Sequence, residues 1–495
     1  MFFGLVGAVG IDFSPVITTL ENELTAVGYS TESIVISRLF EDLDVGKDLE
    51  RLRKKGPEEE RILQSMKVGT GLRSKLASGD AAARLAIAEI RRIRDANHGD
   101  REQPLQRKAF IFKSLKHPEE VRTLRNIYGD SFFLISIYEP RHKRLDRLAK
   151  HIAKSHGKRV SNTFRQKAEE LDKIDASEPE QREYGQLVSD TFHLADVFIN
   201  QITSPEEQII RFIRLLFGSP FITPTVDEYG LFHAKAVALR SADPSRQVGA
   251  VICTSNGELI AAGCNEVPLA GGGAFWEGTL ALSEDNRDFR LGSDSSSVAR
   301  GEIVEEILQA LKERNWLNDE LINKTSEQLR DLALKEGKDP PLRRKQVNEV
   351  LEYGRVVHAE MHAISEAARR GLSIKGATLY CTTFPCHNCA RHIISSGIGR
   401  VVYIEPYPKS MTKDLYARLV RIDDEESCDE DAIKFDTFIG ISPDKYFKLF
   451  RMVDRKDENG EILPINHIAA QPRLRADFEL QGMIEQFYVE SLEEL

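Results

Sequence analysis

The sequence predicts an α/β protein in two units, an N-terminal parallel sheet and a C-terminal mixed sheet with helical layers. Three features carry that expectation. A short apolar run, Phe2–Val6, leads into a glycine-bearing octet and then a helix, which is how a parallel α/β unit begins. Farther on, Asn256-Gly257 separates the β-prone runs 248–253 and 259–264, and an Asn-Gly pair there signals a type I′ hairpin. Around that hairpin the order is helix, hairpin, helix, strand, helix, strand, the pattern of a mixed sheet with helices on its faces. The first unit is expected at residues 1–203 and the second at 226–450, with an insertion at about 268–350 and a C-terminal extension at 451–495.

In the first unit, the octet Gly7-Ala8-Val9-Gly10-Ile11-Asp12-Phe13-Ser14 has the layout of the phosphate-binding loop G-x-x-x-x-G-K-[ST]. It keeps Gly7 at the start and Ser14 at the end, with a further glycine at Gly10. Asp12 stands where the second glycine belongs and Phe13 where the lysine belongs. The charge that holds the outer phosphates is therefore missing, and a carboxylate that would repel them is present. Residues 109–112 read as a core strand, followed by Lys113 where a magnesium-binding aspartate is expected. Residues 134–137 then precede Arg141, Arg144 and Arg147, like the strand and basic lid of a nucleotide kinase. The unit resembles a P-loop kinase whose catalytic groups are gone. That resemblance implies a nucleotide-sensing or assembly role around Gly7, Gly10 and Ser14 rather than phosphoryl transfer. For the basic stretch 141–159 three readings stand: a solvated helix face, a phosphate lid and an RNA-binding stripe.

The second unit carries the chemistry. His358-Ala359-Glu360 is followed by Pro385-Cys386-His387-Asn388-Cys389. His358, Cys386 and Cys389 make three ligands for a zinc ion (Zn2+) and leave the fourth tetrahedral position open. A zinc ion so held supplies an activated water near neutral pH. Glu360 is the carboxylate left over, suited to take that water's proton and deliver it to a substrate. Residues 377–382 read as a strand, and Pro385 opens a helix with both cysteines in its first turn. A spacing of three puts the sulfurs on one face, and the helix dipole favours their thiolate forms. Residues 361–370 read as a helix ended by Gly371, with His358 and Glu360 at its start. An isolated C-x-x-C is also the mark of a redox pair or half a structural zinc site; the His-x-Glu upstream argues for a catalytic metal. His387 is expected to point away from the sulfurs, and His362 and His392 to pack or hydrogen-bond. The pair of motifs is the signature of zinc nucleobase deaminases, and this resemblance implies hydrolytic deamination.

The whole unit resembles the deoxycytidylate deaminases, through residues 240–250, Gly263-Cys264-Asn265, residues 358–361, Phe384-Pro385-Cys386 and Val402-Tyr403. The likeness covers roughly residues 228–425 once the insertion is removed, and it implies a cytidine-deaminase-like sheet. It further implies that Asn265 hydrogen-bonds a deoxyribose, that Tyr407 lies against the substrate, and that Arg246 and Lys409 reach its phosphate. Asn265 also reads as a turn residue after Gly263. One departure is large: the step from Pro268 to Val357 is brief in short deoxycytidylate deaminases. Here it holds Gly271-Gly272-Gly273, a polar stretch with Asp285, Arg287, Asp288 and Arg290, and helical segments at 303–314 and 326–336. The glycine run reads as a loop approaching phosphates or as a hinge. An insertion of this length is more often functional than idle.

Composition narrows the classes. Charged residues at 29% and hydrophobic ones at 41% describe an ordinary soluble protein. No apolar run approaches the ~20 residues of a membrane span, and the opening residues, with no basic region, are not expected to be a signal peptide. Six cysteines without a regular framework suit a reducing, cytoplasmic compartment, with Cys253, Cys264 and Cys381 as buried small hydrophobes. A net charge of −10 argues against a general nucleic-acid binder. Together with the lack of an aromatic-studded basic groove, it also argues against a polynucleotide deaminase. The acidic tract 423–431 reads as an exposed loop.

A degenerate kinase-like unit joined to a deoxycytidylate-deaminase unit with a long insertion resembles the long bacterial anti-phage dCTP deaminases. Residues 115–118, 275–278, 385–390 and 403–410 carry that likeness. It implies conversion of deoxycytidine nucleotides (dCTP, dCMP) to deoxyuridine nucleotides, depleting dCTP during infection. It also implies a homo-oligomer, a regulatory nucleotide at the first unit, and a restraining partner, an inhibitory RNA in some members. A housekeeping dCMP deaminase feeding dUMP and dTTP synthesis remains an alternative, as does a regulatory nucleotide-binding protein with a vestigial zinc site.

Overall fold

The computed structural model describes every residue except 44–46, 179–182, 279–284, 336–339, 343–344, 346, 348–351, 407–409, 424–430, 453, 464–470, 475–480, 491 and 493–495. The chain divides into two compact units, residues 1–228 with 438–495, and residues 229–437. This departs from the expected limits of 203, 226 and 450. The helix Pro205–Leu216 contributes Ile209, Phe212 and Ile213 to the first unit's core. Past the second unit the chain returns: Gly440–Ile441 pairs antiparallel with the first unit's edge strand, and Ile441, Leu449 and Leu474 join the same core. Of the described residues past 450, Leu474 is thus part of the first unit's core.

In the first unit, β1 (Phe2–Val6), β2 (Ser30–Val35), β3 (Lys108–Lys113), β4 (Phe132–Tyr138) and β5 (Val197–Asn200) form a parallel sheet in the order β5-β4-β1-β3-β2, with Gly440–Ile441 beyond β5. β1, β3 and β4 are covered on both faces, which is why they read as unbroken apolar runs. The chain leaves β1 toward one side of the sheet and β3 toward the other, so a crevice opens between their carboxyl ends.

The octet after β1 is occupied by the protein's own side chains. Val9 N–H donates to Asp175 Oδ2 at 2.7 Å, and Lys116 Nζ holds both Gly7 O at 3.0 Å and the Asp175 carboxylate at 2.9 Å. Arg144 and Arg147 donate to the carbonyls of Val9 and Gly10 at 2.7 and 2.9 Å. Ser14 begins the following helix, and its N–H donates to Asp12 Oδ1. The basic stretch is thus split. Arg141 and Arg144 pair with Asp172 and Arg147 with Glu139, whereas Lys143, Lys150 and Lys154 are solvated on the helix Arg141–Ser155.

In the second unit, β6 (Gly249–Cys253), β7 (Leu259–Cys264), β8 (Thr378–Thr383), β9 (Arg400–Glu405), β10 (Val420–Ile422) and β11 (Ile433–Thr437) form a mixed sheet in the order β10-β11-β9-β8-β6-β7. β6 is antiparallel to β7 and β8, and the other pairs are parallel. The hairpin forms where expected but not with a type I′ turn, which needs positive φ at both central residues. Only Gly257 has it, at +86°, and the register shifts at Ile252/Cys253, so the turn is Thr254–Gly257 with a bulge. β10 and β11 were not expected; they flank the acidic tract, of which residues 424–430 lie outside the described residues.

The helix Ala359–Arg369 lies on β7, burying Ala359, Ala363 and Ala367 completely. Alanines four apart give it a smooth face that lets it approach the strand closely. The insertion leaves and re-enters beside this helix, where Glu266 and Val357 exchange backbone hydrogen bonds of 3.2 and 3.0 Å. Gly271, Gly272 and Gly273 all have positive φ and make a turn closed by Leu269–Gly273 and Gly272–Leu269 bonds. The insertion's main helices are Ser295–Glu313 and Ser326–Leu334. Among the described residues no helix is long and apolar enough to cross a membrane.

Candidate active site

Two helix starts face each other. His358 is the N-cap of the helix Ala359–Arg369, and Cys386 is the N-cap of the helix His387–Ser395. Neither side chain caps its own helix, so imidazole and sulfur are available to one another. His358 Nδ1 lies 3.3 Å from Cys386 Sγ and 3.4 Å from Cys389 Sγ, and all three donor atoms lie within 4.8 Å of one another. The helix opens two residues after Pro385 rather than on it, yet Cys389 still falls in its first turn. His387 is not in the cluster, and His362 Nδ1 is engaged with Cys264 O at 2.9 Å.

The donor set suits zinc: one imidazole nitrogen and two sulfurs, converging, buried or nearly so, with room for a fourth ligand. Hydrogen bonds from Cys389 and from His358 hold the Cys386 thiol down to about 4. The same contact with Cys386 lifts His358 to about 9. Sharing its proton with Cys386, and buried, Cys389 is pushed far up. These surroundings favour the thiolate form of Cys386, the form that binds metal.

Glu360 sits one residue into its helix, 4% exposed, with Oε2 3.3 Å from Cys389 Sγ. Burial raises its pKa above the usual carboxylate value. It is not one of the three clustered ligands, so its carboxylate stands beside the metal position as a group that can carry a proton.

These residues open into a pocket of about 330 Å³, a size that takes a small ligand. Asn265 and Arg246 are among the residues that line it. Asn265, however, spends its amide on the backbone: Oδ1 accepts from Val248 N–H at 2.7 Å and Nδ2 donates to Arg246 O at 2.8 Å. Here it acts first as the clamp of the turn 246–248. Arg246 is half-exposed and pairs with Glu405 at 2.6 Å. Tyr407 and Lys409 lie outside the described residues. The far wall comes from the insertion: Asp288 belongs to the polar stretch noted in the sequence, whereas Ser296, Ser297, Arg300 and Arg355 were missed. Arg355 is fixed by Asp288 Oδ1 at 3.1 Å and Asn286 O at 2.9 Å. The one sequence signal for this wall was Asp294 ahead of three serines, a helix start; its side chain does accept from Ser297 N–H.

Residues 224–405 match the family model described as the cytidine and deoxycytidylate deaminase zinc-binding region. The deoxycytidylate deaminase of Enterobacteria phage T2 is 54% identical over 54 residues, which are 11% of this chain and 29% of that protein. The deoxycytidylate deaminase of Mus musculus is 24% identical over 194 residues, 39% of this chain and 72% of that protein. The crystal structure of dCMP deaminase from the cyanophage S-TIM5 in apo form is 16% identical, with a TM-score of 0.22 over 44% of this chain and 100% of that one. The chain therefore spans less than two thirds of the first curated relatives it matches. A deoxycytidylate deaminase family domain lies in the C-terminal part of the chain, and its zinc-binding region contains the cluster of His358, Cys386 and Cys389.

Proposed function

We propose that the second unit is a zinc-dependent hydrolase that removes the amino group of deoxycytidine nucleotides, releasing ammonia and leaving deoxyuridine nucleotides. The observation that carries this reading is the buried Glu360 carboxylate beside three convergent zinc ligands. Zinc, held by His358, Cys386 and Cys389, supplies an activated water at neutral pH. Glu360 takes up the water's proton at a carboxylate oxygen, a task its raised pKa favours, and passes it to the ring nitrogen; it then takes a second proton from the hydroxyl added to the ring carbon and passes that one to the amine, which leaves as ammonia. Arg300 and Arg355 on the pocket wall suit a phosphorylated substrate better than a free nucleoside.

On the strength of the resemblance, the substrates are dCTP and dCMP and the purpose is to deplete dCTP against phage. Assembly into a homo-oligomer, restraint by an RNA and a cytoplasmic setting belong to the same proposal. The test is ammonia release by the zinc-loaded protein from dCTP, dCMP, deoxycytidine and CTP. Glu360→Gln should keep its zinc and lose roughly 10²–10⁴-fold in rate, while Cys386→Ser should lose the zinc itself. Turnover of dCMP alone would favour the housekeeping role. Turnover of none of the four would sink the proposal.

A further inference from the structure

We propose that Glu266 is a positioning residue of the second unit's pocket, a role that rests on the deaminase reading. Through its carboxylate, Arg287 of the insertion fixes the loop 241–248 that forms the pocket's near wall. Glu266 lies just past the end of β7, directly after Asn265, and is 1% exposed. Its backbone makes the bridge to Val357, and its side chain reaches elsewhere. Oε2 accepts from Ala242 N–H at 3.0 Å and Oε1 from Val267 N–H at 2.8 Å.

The bond to Ala242 holds one end of the loop. The other end is held by Asn265, whose Oδ1 accepts from Val248 N–H at 2.7 Å, and Asn265 O accepts from Ser241 Oγ at 2.7 Å. Between these ties Asp243, Ser245, Arg246 and Val248 line the pocket. Asp243 Oδ1 accepts from the Ser245 and Arg246 amides, so the loop is braced internally as well. It hangs as one piece from two consecutive residues, Asn265 and Glu266.

A carboxylate buried this deeply needs a counter-charge. Among the described residues the cation within ion-pair distance is Arg287, with Nη1 3.9 Å from Oε2. That separation is a charge contact rather than a hydrogen bond, and burial of both partners leaves it weakly screened. Arg287 is itself locked in place. Asp285 accepts from its Nε and Nη2 at 2.9 and 2.8 Å, and its guanidinium lies 4.9 Å from the centre of the Phe289 ring. The next residue, Asp288, lines the opposite wall of the pocket and fixes Arg355. A short chain of contacts thus crosses the pocket from Arg355 and Asp288 through Arg287 and Glu266 to Ala242. Removing the carboxylate uncouples the two walls, while the zinc ligands keep their own helix starts.

The experiment is calorimetric titration of the full-length, zinc-loaded protein with dUMP and dUTP, with zinc per chain and thermal unfolding measured alongside. Neither ligand carries an amine to lose, so binding is read whether or not turnover is seen. Glu266→Ala should weaken the tighter ligand by roughly tenfold or more, with zinc per chain unchanged. Glu266→Gln keeps the size, loses the charge and sets an N–H2 against a backbone donor, so it should follow in the same direction. It is read alone if Glu266→Ala does not fold. A role confined to stability would lower Tm and leave Kd as it was. Arg287→Met should weaken binding in the parent and add little in Glu266→Gln, because the two residues act through one contact. The proposal is overturned if neither ligand binds the parent, if Kd is unchanged in folded Glu266→Gln, or if the two losses multiply in the double variant. A parent that binds dUMP or dUTP but releases no ammonia from any deoxycytidine nucleotide would overturn the deaminase reading alone.

Discussion

Gly263→Ala should disable the metal centre without touching any ligand. Gly263 lies in β7 opposite Ala250, under the first turns of the helix Ala359–Arg369. A Cβ there would sit 2.5 Å from Ala359 O, 2.5 Å from Ala363 N and 2.8 Å from His362 Cβ. Ordinary contact begins near 3.4 Å, so two backbone atoms of one helix are overlapped by about 0.9 Å. Backbone cannot rotate out of the way, and the helix must move by roughly that distance. It carries His358 at its cap and Glu360 in its first turn, whereas Cys386 and Cys389 ride on a different helix. The 3.3 and 3.4 Å approaches of His358 to the sulfurs would therefore open. Overpacking of this kind costs about 1–3 kcal/mol, or a few to roughly ten degrees in Tm for a unit of this size. Misplacement near 1 Å costs on the order of 10²-fold in rate. The assay is zinc per chain after dialysis, thermal unfolding and deamination rate. Gly301→Ala serves as control, since its Cβ would meet only Arg330 Cδ at 3.5 Å. Full zinc occupancy and an unchanged rate in Gly263→Ala would refute the reasoning.

Two further outcomes are expected. Arg355→Ala removes a cation from the pocket wall and leaves the buried Asp288 carboxylate without its partner. KM for deoxycytidine phosphates should rise roughly 10–100-fold, as loss of a charged hydrogen bond predicts, with kcat changed far less; an unchanged KM would remove Arg355 from substrate binding. His117 caps the helix Pro118–Tyr128 by accepting from Glu119 N–H, and burial, aided by Arg73, pulls its pKa from 6.5 to about 4. A base depressed by folding gives stability that is complete above pH 6.5 and lost as pH falls toward 4, here on the order of 3 kcal/mol. His117→Asn keeps a capping acceptor and cannot titrate, so its urea midpoint should vary less between pH 6.5 and 4 than the parent's; parallel pH curves for the two proteins would contradict the assignment.

What the sequence revealed about this molecule follows from how local each feature is. The metal cluster is local: its three ligands and Glu360 sit on two helix starts, and the two-residue step in His-x-Glu and the three-residue step in Cys-x-x-Cys already place them. The buried strands β1, β3, β4, β8 and β9 are legible for the same reason, because burial on both faces writes an apolar run. β2, with the sequence Ser-Thr-Glu-Ser-Ile-Val at an exposed edge, writes none and is held by its pairing to β3. The two-residue strand Gly440–Ile441 is shorter still, and it moves the unit boundary.

Roles that depend on distant partners were not legible. Asn265 lines the pocket, but its amide is engaged by backbone 17 and 19 residues away. Arg141, Arg144 and Arg147 read as a solvated or phosphate-seeking face, until Asp172, Glu139 and the octet carbonyls claim them. The pocket wall is the extreme case, since Asp288 and Arg355 are 67 residues apart and meet because the insertion returns through the Glu266–Val357 bridge. That bridge ends one residue before His358, so a change in the insertion's packing reaches the metal ligand through a single peptide bond. The metal cluster and the pocket wall supplied by the insertion are therefore open to separate mutation away from the bridge and coupled at it.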